Sequence, residues 1–337
     1  MEEKVISREK VVTFIDTLIG KYYVFAPVKK KDFISFDEVK SGNEVYLGYR
    51  NSKDSPKRFL FPQSEVMLRY EKGRLIEEGP FDYGKRVIFG IRPCDIKGFS
   101  LLNKVFDNHD FRDPYFITKR DSIILIGMGC REPQTTCFCT SLGIDPGSSD
   151  GADLFITDIG NKYVFQILTS KGEGIISEYD GFNDAEKADL DMKEKVSEDA
   201  KERIRTKVEI SGLKEKLDGM FEDPFWSDLH EKCIGCAICT YLCPTCHCFD
   251  IEDETVNDKG VRRRNWDSCM FPLFTLHTSG HNPRESGKER MRQRIMHKFN
   301  YFVSYWGDTA CVGCGRCIIN CPVNMDLRKV INNINHG

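Results

Sequence analysis

Cys233-Ile-Gly-Cys236-Ala-Ile-Cys239-Thr-Tyr-Leu-Cys243-Pro244 has an echo in Cys311-Val-Gly-Cys314-Gly-Arg-Cys317-Ile-Ile-Asn-Cys321-Pro322. Both strings read C-x-x-C-x-x-C-x-x-x-C-P. Three cysteines two residues apart can wrap a tight loop round one face of an iron–sulfide cube. The fourth, before a proline, stands where the chain leaves that loop. One copy could be a zinc site by accident of spacing, but two full copies are far more specific. Gly235, Gly313 and Gly315 let backbone N–H groups turn toward sulfur where a side chain would crowd. Ile234, Ala237, Ile238, Val312 and Ile318 can exclude water from the metal, and burial tunes its potential.

Where two such strings share a fold, the fourth cysteine of each ligates the cluster of the other. Cys233, Cys236, Cys239 and Cys321 are therefore expected to hold one [4Fe–4S] cluster, and Cys311, Cys314, Cys317 and Cys243 a second. Arg316 lies inside the second loop, where Ala237-Ile238 fill the equivalent place in the first. It is expected to act on the bound cofactor and raise the potential of the second cluster.

The chain has 337 residues, room for two or three domains, and 40% of them are hydrophobic, enough for ordinary cores. A net charge of −3 argues against a nucleic-acid protein. The 15 cysteines cluster at metal-ligand spacings and must stay reduced, so a cytoplasmic location is expected. Met1-Glu2-Glu3-Lys4 begins no secretory signal, and no apolar run reaches the ~20 residues of a membrane span.

The expected fold class is α+β. Residues 1–182 read as a mixed α/β domain, 183–226 as a charged helical connector, and 227–337 as a two-cluster ferredoxin-like domain with an insertion at 249–305. In the first part Arg8 to Ile19 reads as an amphipathic helix capped by Ser7. Strands are expected at Tyr22 to Pro27, Glu44 to Leu47, Arg86 to Ile91 and Ser122 to Met128. Asp153 to Ile159 and Lys162 to Leu168, linked by Gly160-Asn161, read as a hairpin. Residues 57–69 have no firm assignment. Asp95 is the expected cap of a helix running to Phe106, and Ser227 of a short helix before Cys233.

Cys94 and Cys130 each follow a strand, where ligands gather in open α/β sheets, and Cys137 and Cys139 come soon after. These four thiols could hold a third [4Fe–4S] cluster or zinc, or be buried reduced cysteines. In the insertion Cys246, Cys248 and Cys269 are surplus to the eight assigned ligands and read as structural thiols. The insertion is also basic, with Lys259, Arg262, Arg263, Arg264, Arg284, Lys288, Arg290, Arg292, Arg294 and Lys298. Such charge could stabilise an anionic cluster, dock an acidic partner or simply be solvated. His247, His277, His281 and His297 read as packing residues. Cys239-x-x-x-Cys243-x-x-Cys246 has radical-SAM spacing, but it overlaps a complete ferredoxin string.

Taken together, Arg92-Pro-Cys-Asp95, Cys137-Phe-Cys139, Cys243-Pro-Thr-Cys246-His-Cys248, Arg263-Arg-Asn-Trp266-Asp-Ser-Cys-Met270, Gly280-His281, Glu289-Arg290, His297-Lys298 and the 311–317 string carry a resemblance. The chain resembles the A-type iron–sulfur subunit of anaerobic sulfite reductase and the beta subunit of cytoplasmic sulfhydrogenase. The resemblance implies an electron-transfer subunit without its own catalytic residues. It also implies two partners: a FAD-containing, NAD(P)H-oxidising flavoprotein and a terminal catalytic subunit, either sirohaem sulfite reductase or nickel–iron hydrogenase. It implies metal at Cys94, Cys130, Cys137 and Cys139 as well. Neither Gly-x-Gly-x-x-Gly nor a Walker lysine motif occurs. The alternatives are a stand-alone sulfur-compound reductase with its substrate at the Cys94/Cys130 edge, and a free carrier with an added docking domain.

Overall fold

A computed structural model describes residues 2–336. Its main sheet takes the order β10-β1-β9-β8-β7-β6-β2-β3. The strands are β1 (Glu3–Ser7), β2 (Tyr23–Lys29), β3 (Ile34–Glu38), β6 (Arg86–Ile91), β7 (Ile123–Met128), β8 (Leu154–Asp158), β9 (Lys162–Ile167) and β10 (Asn183–Asp184). β2, β6, β7 and β8 run parallel, and the outer strands pair antiparallel. All six residues of β6 are buried, as a central parallel strand covered on both faces requires. The helix Val11–Ile19 lays Phe14, Ile15 and Leu18 on one face of the sheet, and Pro93–Phe106 lays Phe99 and Leu102 on the other. The fold class is α+β.

A second, antiparallel sheet has the order β11-β12-β4-β5. Here β4 (Ser64–Glu71) and β5 (Arg74–Glu78) come from the first half of the chain, while β11 (Phe249–Val256) and β12 (Lys259–Trp266) come from the insertion. One sheet thus ties together the two regions that the sequence assigns to separate domains. A buried ion network seals the junction: Glu65 on β4 accepts from Lys119 and from Arg264 on β12 (2.6 Å), and Arg264 also pairs with Asp113.

Several local expectations are corrected. Ser7 makes no side-chain cap; a 3-10 turn at Arg8–Lys10 leads into the first helix. Glu44 to Leu47 is not a strand: a 3-10 turn spans Gly42–Glu44, and Val45 makes a single bridge to Val28. The helix expected to be capped by Asp95 starts at Pro93 after Arg92, and Pro224 rather than Ser227 precedes the helix Phe225–Glu231. The connector is less exposed than its charge suggests. Val208, Leu213, Leu217 and Trp226 join a second core with Phe138, Met270, Met291, Ile295, Phe299 and Ile331.

Candidate metal centres

The first cysteine string closes on itself. Gly235 and Ala237 take positive φ (68° and 60°), and the short helix Ile238–Tyr241 follows. The second string repeats the course with Gly313 and Gly315 (61° and 74°) and the helix Arg316–Ile319. One cavity is lined by Cys233, Cys236, Cys239 and Cys321, with Cys317 and Arg294 at its edge and Ile238, Met270, Met291 and Leu327 around them. Backbone N–H groups already point at sulfur: Gly235 donates to Cys233 Sγ (3.4 Å) and Met325 to Cys321 Sγ (3.2 Å). This cavity reaches the surface, because Cys236 is exposed and Ile234 is 65% exposed.

The second set lies deeper, with Cys243, Cys311 and Cys314 all buried. Lys298 clamps the two strings together. Its ammonium donates to Cys243 Sγ (3.3 Å), Thr245 Oγ1 (3.2 Å) and the Ala310 carbonyl (2.9 Å), and Thr245 Oγ1 donates to the same carbonyl (2.7 Å). Cys243 thereby lies within electrostatic reach of Cys311, Cys314 and Cys317. A hydrogen bond from Cys246 and the Lys298 ammonium hold the Cys243 thiol well below its ordinary value despite burial.

The N-terminal thiols meet at the carboxyl end of the parallel strands. β6 delivers Cys94 into the first turn of its helix, and neighbouring β7 delivers Cys130. Another cavity is lined by Cys94, Cys130, Cys137 and Cys139, with Arg92, Asn51, Ile144, Ile204 and Cys314. Burial pushes all four thiols up, Cys137 to about 12. Loaded metal must therefore displace their protons.

This cavity backs directly onto the second string. The Phe138 N–H donates to the Gly313 carbonyl (2.9 Å), and Asn51 Nδ2 (3.1 Å) and Cys137 Sγ (3.7 Å) donate to the Cys314 carbonyl. A Cβ on Gly313 would meet the Cys139 backbone nitrogen at 2.5 Å, and one on Gly315 the Thr136 carbonyl oxygen at 2.7 Å. Arg316 locks the contact. Its guanidinium grips Asp95 at 2.7 and 2.8 Å and donates to Ser52 and Asn51, while Ser55 Oγ donates to Asp95 (2.8 Å). The charge expected to act on the second cluster is thus shared with a carboxylate, although it still bears on the neighbouring Cys314 thiol. In this structure Arg316 fastens the Arg92-Pro-Cys-Asp95 segment to the cysteine string.

Apart from Arg316, Lys119 and Arg264, the buried cations have no carboxylate partner among the described residues. Arg86 is satisfied by Ser122 and the carbonyls of Phe59 and Lys119, away from the cysteines. Lys57, Arg92, Arg294 and Lys298 stand beside thiols. Arg294 lines the first cavity and Arg92 the N-terminal one, and the Nε of each has no hydrogen-bond partner. A buried guanidinium without a counter-anion is costly. Each cavity therefore has the donor set and the charge deficit that an anionic, thiolate-ligated cluster satisfies. Among the described residues no group of three or more His, Cys, Asp or Glu converges as a single metal ion requires. A cubane instead takes one thiolate at each outer corner, a ring of donors round a cavity.

Sequence reasoning left Arg294 and Lys298 within a basic surface. The signal was their place in the pattern: they fall in the apolar stripe Met291, Ile295, Phe299, where a solvated cation does not belong. Lys298 also sits in a π-helical turn, His297–Tyr301, a feature that often marks function. Of the surplus thiols, Cys246 donates to Cys243 and Cys269 donates to Cys248. His247 and His297 pack ring against ring, and burial pushes them down to about 4 and about 3, so both are neutral near pH 7.

No helix among the described residues is long and apolar enough to cross a membrane. Residues 232–325 match the family model of the 4Fe-4S dicluster domain. No solved structure matches the chain. Subunit beta of sulfhydrogenase 2 from Pyrococcus furiosus is 34% identical over 317 residues, covering 93% of this chain and 92% of that protein. The chain therefore belongs to the family of that sulfhydrogenase beta subunit, and it is an iron–sulfur protein of the 4Fe-4S dicluster type.

Proposed function

We propose that this chain is the electron-relay subunit of a cytoplasmic oxidoreductase complex. It holds one [4Fe–4S] cluster at Cys233, Cys236, Cys239 and Cys321, a second at Cys243, Cys311, Cys314 and Cys317, and a third at Cys94, Cys130, Cys137 and Cys139. Its partners are a flavoprotein that oxidises NAD(P)H and a terminal subunit of the nickel–iron sulfhydrogenase or sulfite reductase class. The observation that carries this reading is the back-to-back packing of the N-terminal cavity on the 311–317 string, with Cys314 shared between their surroundings.

Such clusters would supply one-electron chemistry. The chain's own residues bind, orient and screen. Gly313 and Gly315 let the second string approach residues 136–139 closely enough to align the two centres. Ile144, Ile204, Met270 and Met291 exclude water from the cavities. Exposed Cys236 and Ile234 give the relay one end at the surface, and half-buried Cys130 and Cys137 give it the other. Iron and acid-labile sulfide analysis of the anaerobically prepared chain tests the proposal. About twelve of each per chain are expected for three cubanes, and fewer than about eight would contradict even the two in the dicluster domain.

A further inference from the structure

Arg294 and Lys298 are one helical turn apart on the helix Gly287–Met296 and its π-helical continuation, and both are buried (5% and 2% exposed). Neither has a carboxylate partner among the described residues. Lys57, the other buried cation nearby, is held by neutral acceptors. It donates to the Cys246 carbonyl (2.8 Å) and lies 4.1 Å over the Trp266 ring. Lys298 differs from it in donating to a thiol, and Arg294 in lining a thiol cavity with its Nε unpartnered.

Their positions differ in a way that matters. Lys298 Nζ touches Cys243 Sγ and through Thr245 and Ala310 is fixed to the second thiol set alone. Arg294 lines the first cavity but also lies within electrostatic reach of Cys239, Cys317 and Cys243, so it stands between the two sets. A cluster gains one negative charge on reduction. A fixed cation in a poorly screened interior favours that reduced form and so raises the potential.

We propose that Arg294 and Lys298 set the order of reduction in the dicluster domain, with Arg294 raising both potentials and Lys298 raising that of the Cys243-ligated cluster alone. The second cluster is then the more easily reduced of the two, for a reason beyond Arg316, whose charge is paired with Asp95. This inference rests on the proposed ligand sets.

The test is an EPR-monitored redox titration of the full chain, alongside its iron and sulfide content. Lys298→Met should lower one of the two dicluster potentials by about 59 mV or more, a tenfold change in the reduced-to-oxidised ratio for a one-electron couple. The other couple should stay put, and Lys298→Arg should recover most of the shift. Arg294→Met should lower both. Unchanged potentials in a fully loaded Lys298→Met chain would overturn the proposal. If that variant loses iron, fully loaded Arg294→Met decides the matter: a fall in both potentials supports the proposal, and no change overturns it. A wild-type chain without two cubane couples would instead defeat the ligand assignment, and the proposal would fall with it.

Discussion

The two cysteine-lined cavities reach the same physical arrangement by opposite routes. In the dicluster domain three of four thiols come from one seven-residue loop, and the cavity opens to solvent at Cys236. In the N-terminal half the four thiols come from two strand ends and a following turn, and no local spacing links Cys94 to Cys130. Yet each cavity sets its thiols beside one buried arginine whose Nε has no hydrogen-bond partner. The shared feature, more than the spacing, is a buried cation that an anionic centre would balance.

Cluster loading should separate the two cavities most strongly. Cys130→Ser should remove about four irons per chain while the dicluster signals persist, because each cubane has its own Cys₄ set. Cys239→Ala should do the reverse, sparing the N-terminal centre. Loss of all signals from Cys130→Ser would show that the two regions do not assemble independently.

The next effect concerns the lock between them. Arg316→Met leaves Asp95 buried and unpaired, which should cost about 3–5 kcal/mol, read as a large fall in melting temperature. Asp95 is completely buried, so a small loss would mean that water reaches the pair.

A matched pair of glycine substitutions sharpens the comparison within the dicluster domain. Gly235→Ala meets nothing nearer than the Met270 carbonyl at 3.7 Å, so only its backbone strain counts, about 1–2 kcal/mol. Gly313→Ala adds a collision with Cys139 backbone at 2.5 Å and should cost more than Gly235→Ala by melting temperature, and displace the N-terminal cavity as well. Equal losses would break the claim that Gly313, unlike Gly235, is pressed against a neighbouring backbone.

The smallest effect is expected at Ala237, which takes the φ of 60° that glycine takes in the second string. Ala237→Gly relieves that strain but loosens the unfolded chain, so a gain of less than about 1 kcal/mol is expected. Melting temperature again provides the readout.

How far each region could be read from sequence follows from the same contrast. The repeated strings are local, so the eight candidate ligand positions could be named from spacing alone. The structure brings Cys321 into the first cavity and Cys243 beside Cys311 and Cys317. Cys94 and Cys130 could be placed at strand ends because β6 and β7 are apolar runs. Their convergence with Cys137 and Cys139 depends on parallel pairing, which no window of sequence contains. The connector misled because its charges outnumber the apolar positions that do the packing. Residues 57–69 defied assignment because β4 completes its sheet with β12, almost two hundred residues later. Arg316 looked like a cofactor residue until its partner Asp95 came into view, and tertiary structure alone supplies that partner.

The most direct test of the account is a crystal of the anaerobically prepared chain with data collected at the iron absorption edge. Three compact groups of anomalous density are predicted, two in the dicluster domain and one enclosed by Cys94, Cys130, Cys137 and Cys139. An N-terminal cavity with zinc or no metal, or a Cys321 that reaches no iron shared with Cys233, would contradict it.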